Sequence, residues 1–294
     1  KSMHTMKIGQ IGTRIDFFWT TIDNESELLE KFGIQVLPFD MVEFLSRIQN
    51  RVRKGRTAYE KQLMDIKKWL ITEGISDDGL INSLAMRDEL LEMAESNRLD
   101  AFSIQSFNSL QETLGLGVGL GDALAQETIP IAAESDIHGA VSSVLIEAAS
   151  DNDEPSFFPE FTVRHPENDN AVLLWHASAP ISLRHPELKT VRILPPWILK
   201  GLPAASLQFR LKDGAITICR FDGDGGDYRL GIGEGRTVPG PYTREFYVWL
   251  EVDNWIKWEK RLMEGPYIHH CSCVYGRCAS VLEEACKYIP GLKP

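Results

Sequence analysis

Ile129-Pro-Ile-Ala-Ala-Glu134-Ser-Asp136-Ile-His138-Gly139 is the stretch whose reading decides the fold. It opens as an apolar run short enough for a buried strand and delivers two acids at its end. It then enters the small-residue segment Gly139-Ala-Val-Ser-Ser, which suits a closely packed helix. Asp136 stands where a helix beginning at Ile137 needs a side-chain acceptor for its unpaired amides, and this is the favoured role for it. Alternatively, Glu134 and Asp136, two apart at an extended strand end, look into one cleft.

Upstream, strands and helices alternate. Met6–Gly12 reads as a strand, and Glu25–Phe32 as a helix with Leu28, Leu29 and Phe32 on one face and Gly33 as its cap. Ile34–Pro38 returns as a strand and Met41–Ile48 as a helix. The charged run Arg51–Arg56 reads as a solvated face, followed by helices over Ala58–Glu73 and Asp77–Asn97. Leu99–Gln105 is a strand, and a loop and helix lead back to Ile129. This order predicts a mainly parallel, Rossmann-like α/β domain over residues 1–150. Downstream, Ser150-Asp-Asn-Asp-Glu-Pro155 marks a change in composition. Short β runs follow over 157–164, 171–176, 206–211, 215–221, 228–233 and 245–252, with helices over 253–263 and 276–288. Residues 151–294 are therefore expected to form an antiparallel, β-barrel-like domain with a terminal helix.

The chain has 294 residues and a formal charge of -11, which argues against a general nucleic-acid or anionic-membrane binder. No apolar run approaches the roughly 18–20 residues that a membrane span needs. The first residues carry no secretory signal. With five cysteines and no such signal, the expectation is a reduced, cytoplasmic protein.

Several motifs compete for a functional role. Gly115-Leu-Gly117-Val-Gly119-Leu-Gly121 lacks the G-x-G-x-x-G spacing of a dinucleotide site and reads as a loop entering a helix. Asp222-Gly-Asp224-Gly-Gly-Asp227 begins like a calcium loop, but Gly233 holds the twelfth position, so a solvated turn is favoured. His269-His270-Cys271-Ser-Cys273 fits no regular zinc module, and in an extended segment its two histidines face opposite sides. Phe158-Pro-Glu160-Phe161 and Trp175-His176-Ala177 each place one ligand-type side chain on a strand. Taken together, acids and imidazoles at strand ends suit a divalent metal.

These residues resemble the L-fucose and L-arabinose isomerase superfamily. Ile131–Gly139 is similar to the family segment bearing its first catalytic glutamate, and Glu160 stands where the second catalytic carboxylate is expected. Trp175-His176-Ala177 is similar to the histidine-ligand segment of the arabinose branch, and Tyr267-Ile-His269-His270 to the late loop supplying the last imidazole. The resemblance implies an aldose–ketose isomerase working by cis-enediol proton transfer, with Glu134 and Glu160 as the catalytic pair. It implies Mn2+, or another divalent metal, on Glu134, Glu160, His176 and His270, with His269 and Gln105 as substrate contacts. It further implies a small-molecule sugar substrate, a homo-oligomer (trimer or hexamer), and a family N-terminal domain that lies outside this sequence. The alternative is a non-catalytic sugar- or metal-binding module. A third reading, structural zinc on the C-terminal cysteines, ranks last.

Overall fold

The computed structural model describes residues 3–107, 109–115, 119–150, 154–195, 205–265 and 267–294. In chain order the first half contains β1 (Lys7–Ile11), α1 (Glu25–Phe32), β2 (Gln35–Phe39), α2 (Met41–Ile66) and β3 (Leu70–Thr72). It continues with α3 (Asp77–Asn97), β4 (Ala101–Ile104), α4 (Ser109–Leu114), α5 (Leu120–Ala125), β5 (Ile131–Ala132) and α6 (Ile137–Ala149). The second half begins with β6 (Glu160–Arg164), β7 (Ala171–His176), β8 (Val191–Leu194), β9 (Ser206–Arg210), β10 (Ala215–Asp224), β11 (Asp227–Val238) and β12 (Phe246–Glu251). It ends with α7 (Trp255–Glu264), β13 (Ser272–Tyr275), α8 (Ala279–Cys286) and β14 (Leu292–Lys293).

Four parallel strands form the first sheet in the order β2-β1-β4-β5, as the alternation of strands and helices requires. Local signals set its helix ends. Asn24 caps α1 through Glu27 N–H, Gly33 closes it at φ 68°, and Ser76 caps α3 through Gly79 N–H. The expected break after Ile48 is absent, because α2 runs on through the charged stretch and deviates only at Gly55 (φ -126°, ψ 19°). The basic run is not simply solvated. Arg51 pairs with Glu89 and Glu92, and Arg56 with Asp78, so α2 is tied to α3. Where the sequence suggested a helix to Glu73, Leu70–Thr72 is instead β3, paired in parallel with β8 of the second sheet.

That second sheet has ten strands and is mixed. Its main path runs β13-β10-β11-β12-β9-β8-β3 and is open among the described residues, so the pairings close no barrel. The reason lies at β12. Phe246 and Tyr247 pair with β9, Trp249–Glu251 pair with β11, and the whole of β12 pairs with β7 on its other edge. The sheet forks there and does not roll up. One apolar cluster draws on both halves of the chain, including Ile11, Phe44, Leu84, Phe102, Leu207, Ile218 and Phe246.

Helix α6 joins the two sheets. Its apolar face packs in a cluster with Ile8 and Ala132 on one side and with Cys219, Phe221 and Val274 on the other. Small residues permit the close approach. A Cβ on Gly139 would lie 2.5 Å from the Phe158 ring, Ser143 Oγ is 2.8 Å from Ser272 Oγ, and Ser142 Oγ accepts from Phe221 N–H at 2.8 Å. The start of α6 is thereby held against the segment leading into β13.

Candidate metal centre

Three chain segments meet at the start of α6. The first is the link from β5, whose backbone turns sharply, with Glu134 at φ 63° and Ser135 at φ 58°. Two successive non-glycine residues in the left-handed region cost of order 1–3 kcal/mol each, and such strain concentrates at functional sites. Several hydrogen bonds hold it. Glu134 N–H donates to Ser106 Oγ (3.1 Å), Ser135 N–H to the Ile104 carbonyl (3.0 Å), and Ser135 Oγ to the Thr13 carbonyl (3.2 Å). The second segment is the β6–β7 pair, in which Glu160 lies opposite Trp175, one residue before His176. The third precedes β13. His270 bridges to Glu160, with Phe161 N–H donating to the His269 carbonyl and Cys271 N–H to the Pro159 carbonyl.

Two overlapping ligand sets result. Glu134, His176 and His270 present ligand atoms within 4.8 Å of one another, and so do Glu160, His269 and His270. Each of the four expected metal ligands therefore falls in one of two groups that share His270, and His269 belongs to the second. His269 is about half exposed, and its Nε2 lies 3.3 Å from Glu160 Oε2. Gln105 is not part of the cluster. It follows β4 and lies next to Gly12, and the following residue, Ser106, is the one that touches the Glu134 turn.

His270 is the most constrained of these groups. It is buried between two carboxylates, with Nδ1 3.0 Å from Asp136 Oδ2 and Nε2 3.2 Å from Glu134 Oε2. The first contact is a hydrogen bond. The second has ion-pair distance without hydrogen-bond alignment, which leaves Nε2 buried and without a hydrogen-bond partner. Burial opposes protonation of this ring, but the two acids outweigh it and push its pKa up to about 9. His176 goes the other way, its pKa lowered mainly by burial. For Glu160, burial works upward, yet its hydrogen bond to His269 and the charges of the nearby imidazoles hold it below the usual range.

This arrangement fits a divalent ion. The Asp136 carboxylate at Nδ1 fixes the His270 ring and leaves Nε2 as the nitrogen that would ligate a metal, the usual support for a metal-bound histidine. His176 is buried with its neutral form favoured, and neutral is the form that binds metal. Two imidazoles and two glutamates make a mixed N/O donor set.

Sequence reasoning found Asp136 as the cap of α6, and Oδ1 accepts from Gly139 N–H at 2.7 Å. It missed what Oδ2 does. That atom meets both His270 and Arg220 Nη1, the latter at 2.5 Å, and Arg220 continues to Asp222, which meets His138 Nδ1 at 3.2 Å. Burial alone would raise Asp136, but Arg220 and His270 hold it far below the usual carboxylate range. Arg220 is 84 positions away on β10, and no local pattern links the two.

The competing motifs resolve differently. Asp224 and Asp227 close the β10–β11 hairpin through Gly225 and Gly226, both at positive φ, so the turn expectation holds there. Asp222, expected in the same solvated turn, is instead buried against Arg220 and His138. Residues 116–118 of the glycine motif lie outside the described residues. Gly119 and Gly121 pack tightly, since a Cβ on them would lie 2.3 Å from the Ala205 carbonyl oxygen and 2.5 Å from that of Ser83. All five cysteines are buried and in no disulfide. Cys271 and Cys273 place their sulfurs 3.9 Å apart, but among the described residues both metal-competent groups are of acids and imidazoles.

Residues 182–290 match the family model of the L-fucose isomerase C-terminal domain. Over 280 residues the chain is 23% identical to sulfoquinovose isomerases of Priestia aryabhattai and Priestia megaterium, covering 94% of this chain and 61% of each relative. The sulfoquinovose isomerase of Alkalicoccus urumqiensis is 25% identical over 249 residues, covering 82% of this chain and 53% of that protein. The resemblance to fucose isomerase-like proteins thus extends over most of the chain. The chain itself spans about three fifths of the length of the first two relatives. No helix among the described residues is long and apolar enough to cross a membrane.

Proposed function

We propose that this chain carries the metal-binding and acid–base groups of an aldose–ketose sugar isomerase. The observation that supports it most is that Glu134, His176 and His270, and Glu160 with His269 and His270, form two overlapping ligand groups built from three separate chain segments. A divalent ion, manganese in this reading, would be held by those four side chains and would act as a Lewis acid toward two neighbouring sugar oxygens.

Interconversion of aldose and ketose moves one hydrogen between C1 and C2 and one between their oxygens, with no net gain or loss. One carboxylate takes the carbon-bound proton and returns it to the adjacent carbon, and the other carries the hydroxyl proton. Glu134, on the turn after β5, lies 3.2 Å from His270 Nε2, and Glu160, at the start of β6, offers an oxygen within 4.8 Å of a His270 nitrogen, which supports the two acids as the pair on either side of the substrate. In this reading His269, half exposed beside Glu160, contacts the sugar, with Gln105, just after β4, as a second and more distant contact. The relatives' names make sulfoquinovose the first sugar to test, with L-fucose and L-arabinose beside it. The same reading places the chain in a homo-oligomer, trimer or hexamer, and in the reducing cytoplasm, where five buried thiols persist.

Metal content decides the matter first. The parent chain should hold about one manganese-type ion, and a Glu160→Ala, His270→Ala double variant should hold none. Equal metal content in the two would overturn the site. Metal binding without turnover of any of the three sugars would favour the non-catalytic binding module.

A further inference from the structure

Beside the cluster lies a second feature that the isomerase chemistry does not use. A cavity of about 230 Å³ opens between the β10–β11 pair and α7, and His270 forms part of its wall. Its charged lining is one-sided. Buried Arg220 lines it together with Lys257 and Arg261 of α7, and no carboxylate among the described residues does. This occurs in a chain with 42 acidic and 31 basic residues, where a random patch would carry excess acid. Lys257 and Arg261 are one helical turn apart and therefore share a face, and neither is ion-paired to a described residue. Other surface cations, such as Arg47, Arg56 and Arg164, are paired.

Its aromatic walls depend on absent side chains. Gly231 and Gly233 alternate on one face of β11, and a Cβ on them would lie 3.1 Å from the Tyr267 ring and 2.1 Å from that of Trp258. The two rings rest directly on the strand backbone, giving aromatic walls below a cationic rim. Arg220 connects this space to the cluster by hydrogen bonds, through Asp136 to His270. Arg220 keeps one buried nitrogen, Nη2, without a hydrogen-bond partner.

We propose that this cavity is a binding site for a small oxyanion group, of the sulfonate, sulfate or phosphate class, held by Lys257 and Arg261 at the rim with Arg220 behind them. The group arrives either on the far end of the sugar or as a free ion, and only its relation to the sugar rests on the isomerase reading. Arg side chains suit planar, multidentate recognition of oxyanions, and the lysine adds a point charge.

The test uses the metal-free chain and inorganic phosphate, sulfate and methanesulfonate, followed by isothermal titration. The parent should bind at least one of them, and a Lys257→Glu, Arg261→Glu variant should bind it at least about tenfold more weakly with an unchanged thermal midpoint. Absence of binding to the parent, or equal affinity in the variant, would overturn the site. A Glu160→Ala, His176→Ala variant, expected to lose metal, should keep its anion affinity. Loss there would place the anion at the metal cluster and overturn the assignment. Competition then identifies the source. Mutual exclusion of phosphate and a sulfonated sugar places the group on the substrate, and simultaneous binding identifies a free ion.

Discussion

Glu134 and Asp136 stand two residues apart, and the structure treats them as opposites. Asp136 is fully engaged, with one oxygen on the amide of Gly139 and the other on Arg220 and His270. Glu134 sits on a strained backbone and faces a buried imidazole nitrogen to which it is not hydrogen-bonded. The first is a charge stabilised by its surroundings, and the second is the group that the proposed reaction would use as ligand and base. A buried charge with complete partners indicates structure, whereas convergent ligand atoms on a strained turn indicate chemistry.

The contrast is broken most directly at Glu134. Glu134→Gln keeps size and shape but removes the base, so turnover in a coupled sugar isomerase assay should fall by about 10²–10⁴-fold with the thermal midpoint nearly unchanged. Near-parental activity would remove Glu134 from the reaction. Arg220→Met should do the reverse. It strands Asp136 and Asp222 as buried acids, and chemical denaturation should reveal a loss of about 3–5 kcal/mol. A loss below about 1 kcal/mol would mean that the two acids find other partners.

A third acid sharpens the point. Asp122 is buried like Asp136, but burial acts on it without a compensating charge and raises its pKa to about 7. The folded state therefore holds this proton more tightly than the unfolded chain. Its contribution is complete below about pH 4 and is lost as pH rises through about 7. Denaturation of Asp122→Asn across that range should show a flatter dependence on pH, by on the order of 3 kcal/mol. An unchanged profile would mean that Asp122 is not the source. Asp136 has the opposite sign, its contribution being present above about pH 4 and falling in stronger acid.

The smallest effect separates the two duties of Asp136. Asparagine is a good helix cap, so Asp136→Asn should keep α6 while removing the charge that orients His270. Metal affinity, measured by competition with a chelator, should weaken about 10–100-fold. Unaltered affinity would make Asp136 a cap and an arginine partner only.

Much of this was legible in the chain itself. Helix α1 was bounded by its apolar spacing and Gly33, α3 was expected over Asp77–Asn97 and is found there, and the start of α6 was marked by Asp136, because caps and periodicity act within a few residues. Glu134, Glu160, His176 and His270 were singled out through segments that resemble a known family, and each lies in one of the two candidate ligand groups. Hidden were β3, three residues long and paired with a strand about 120 positions away, and the fork at β12, which left the second sheet open. The continuity of α2 was hidden as well, since its charged middle is held by Glu89, Glu92 and Asp78 on another helix.

The sequence by itself therefore determined most of the helices and strands and the residue types suited to a metal. Tertiary structure decided which of those residues meet, how His270 is oriented, and that Arg220 and Asp222 join Asp136 in a buried network. The physical reason is range: capping and amphipathic patterning are written in neighbouring residues, whereas a shared ligand sphere or a buried ion pair exists only once distant strands have been brought into register.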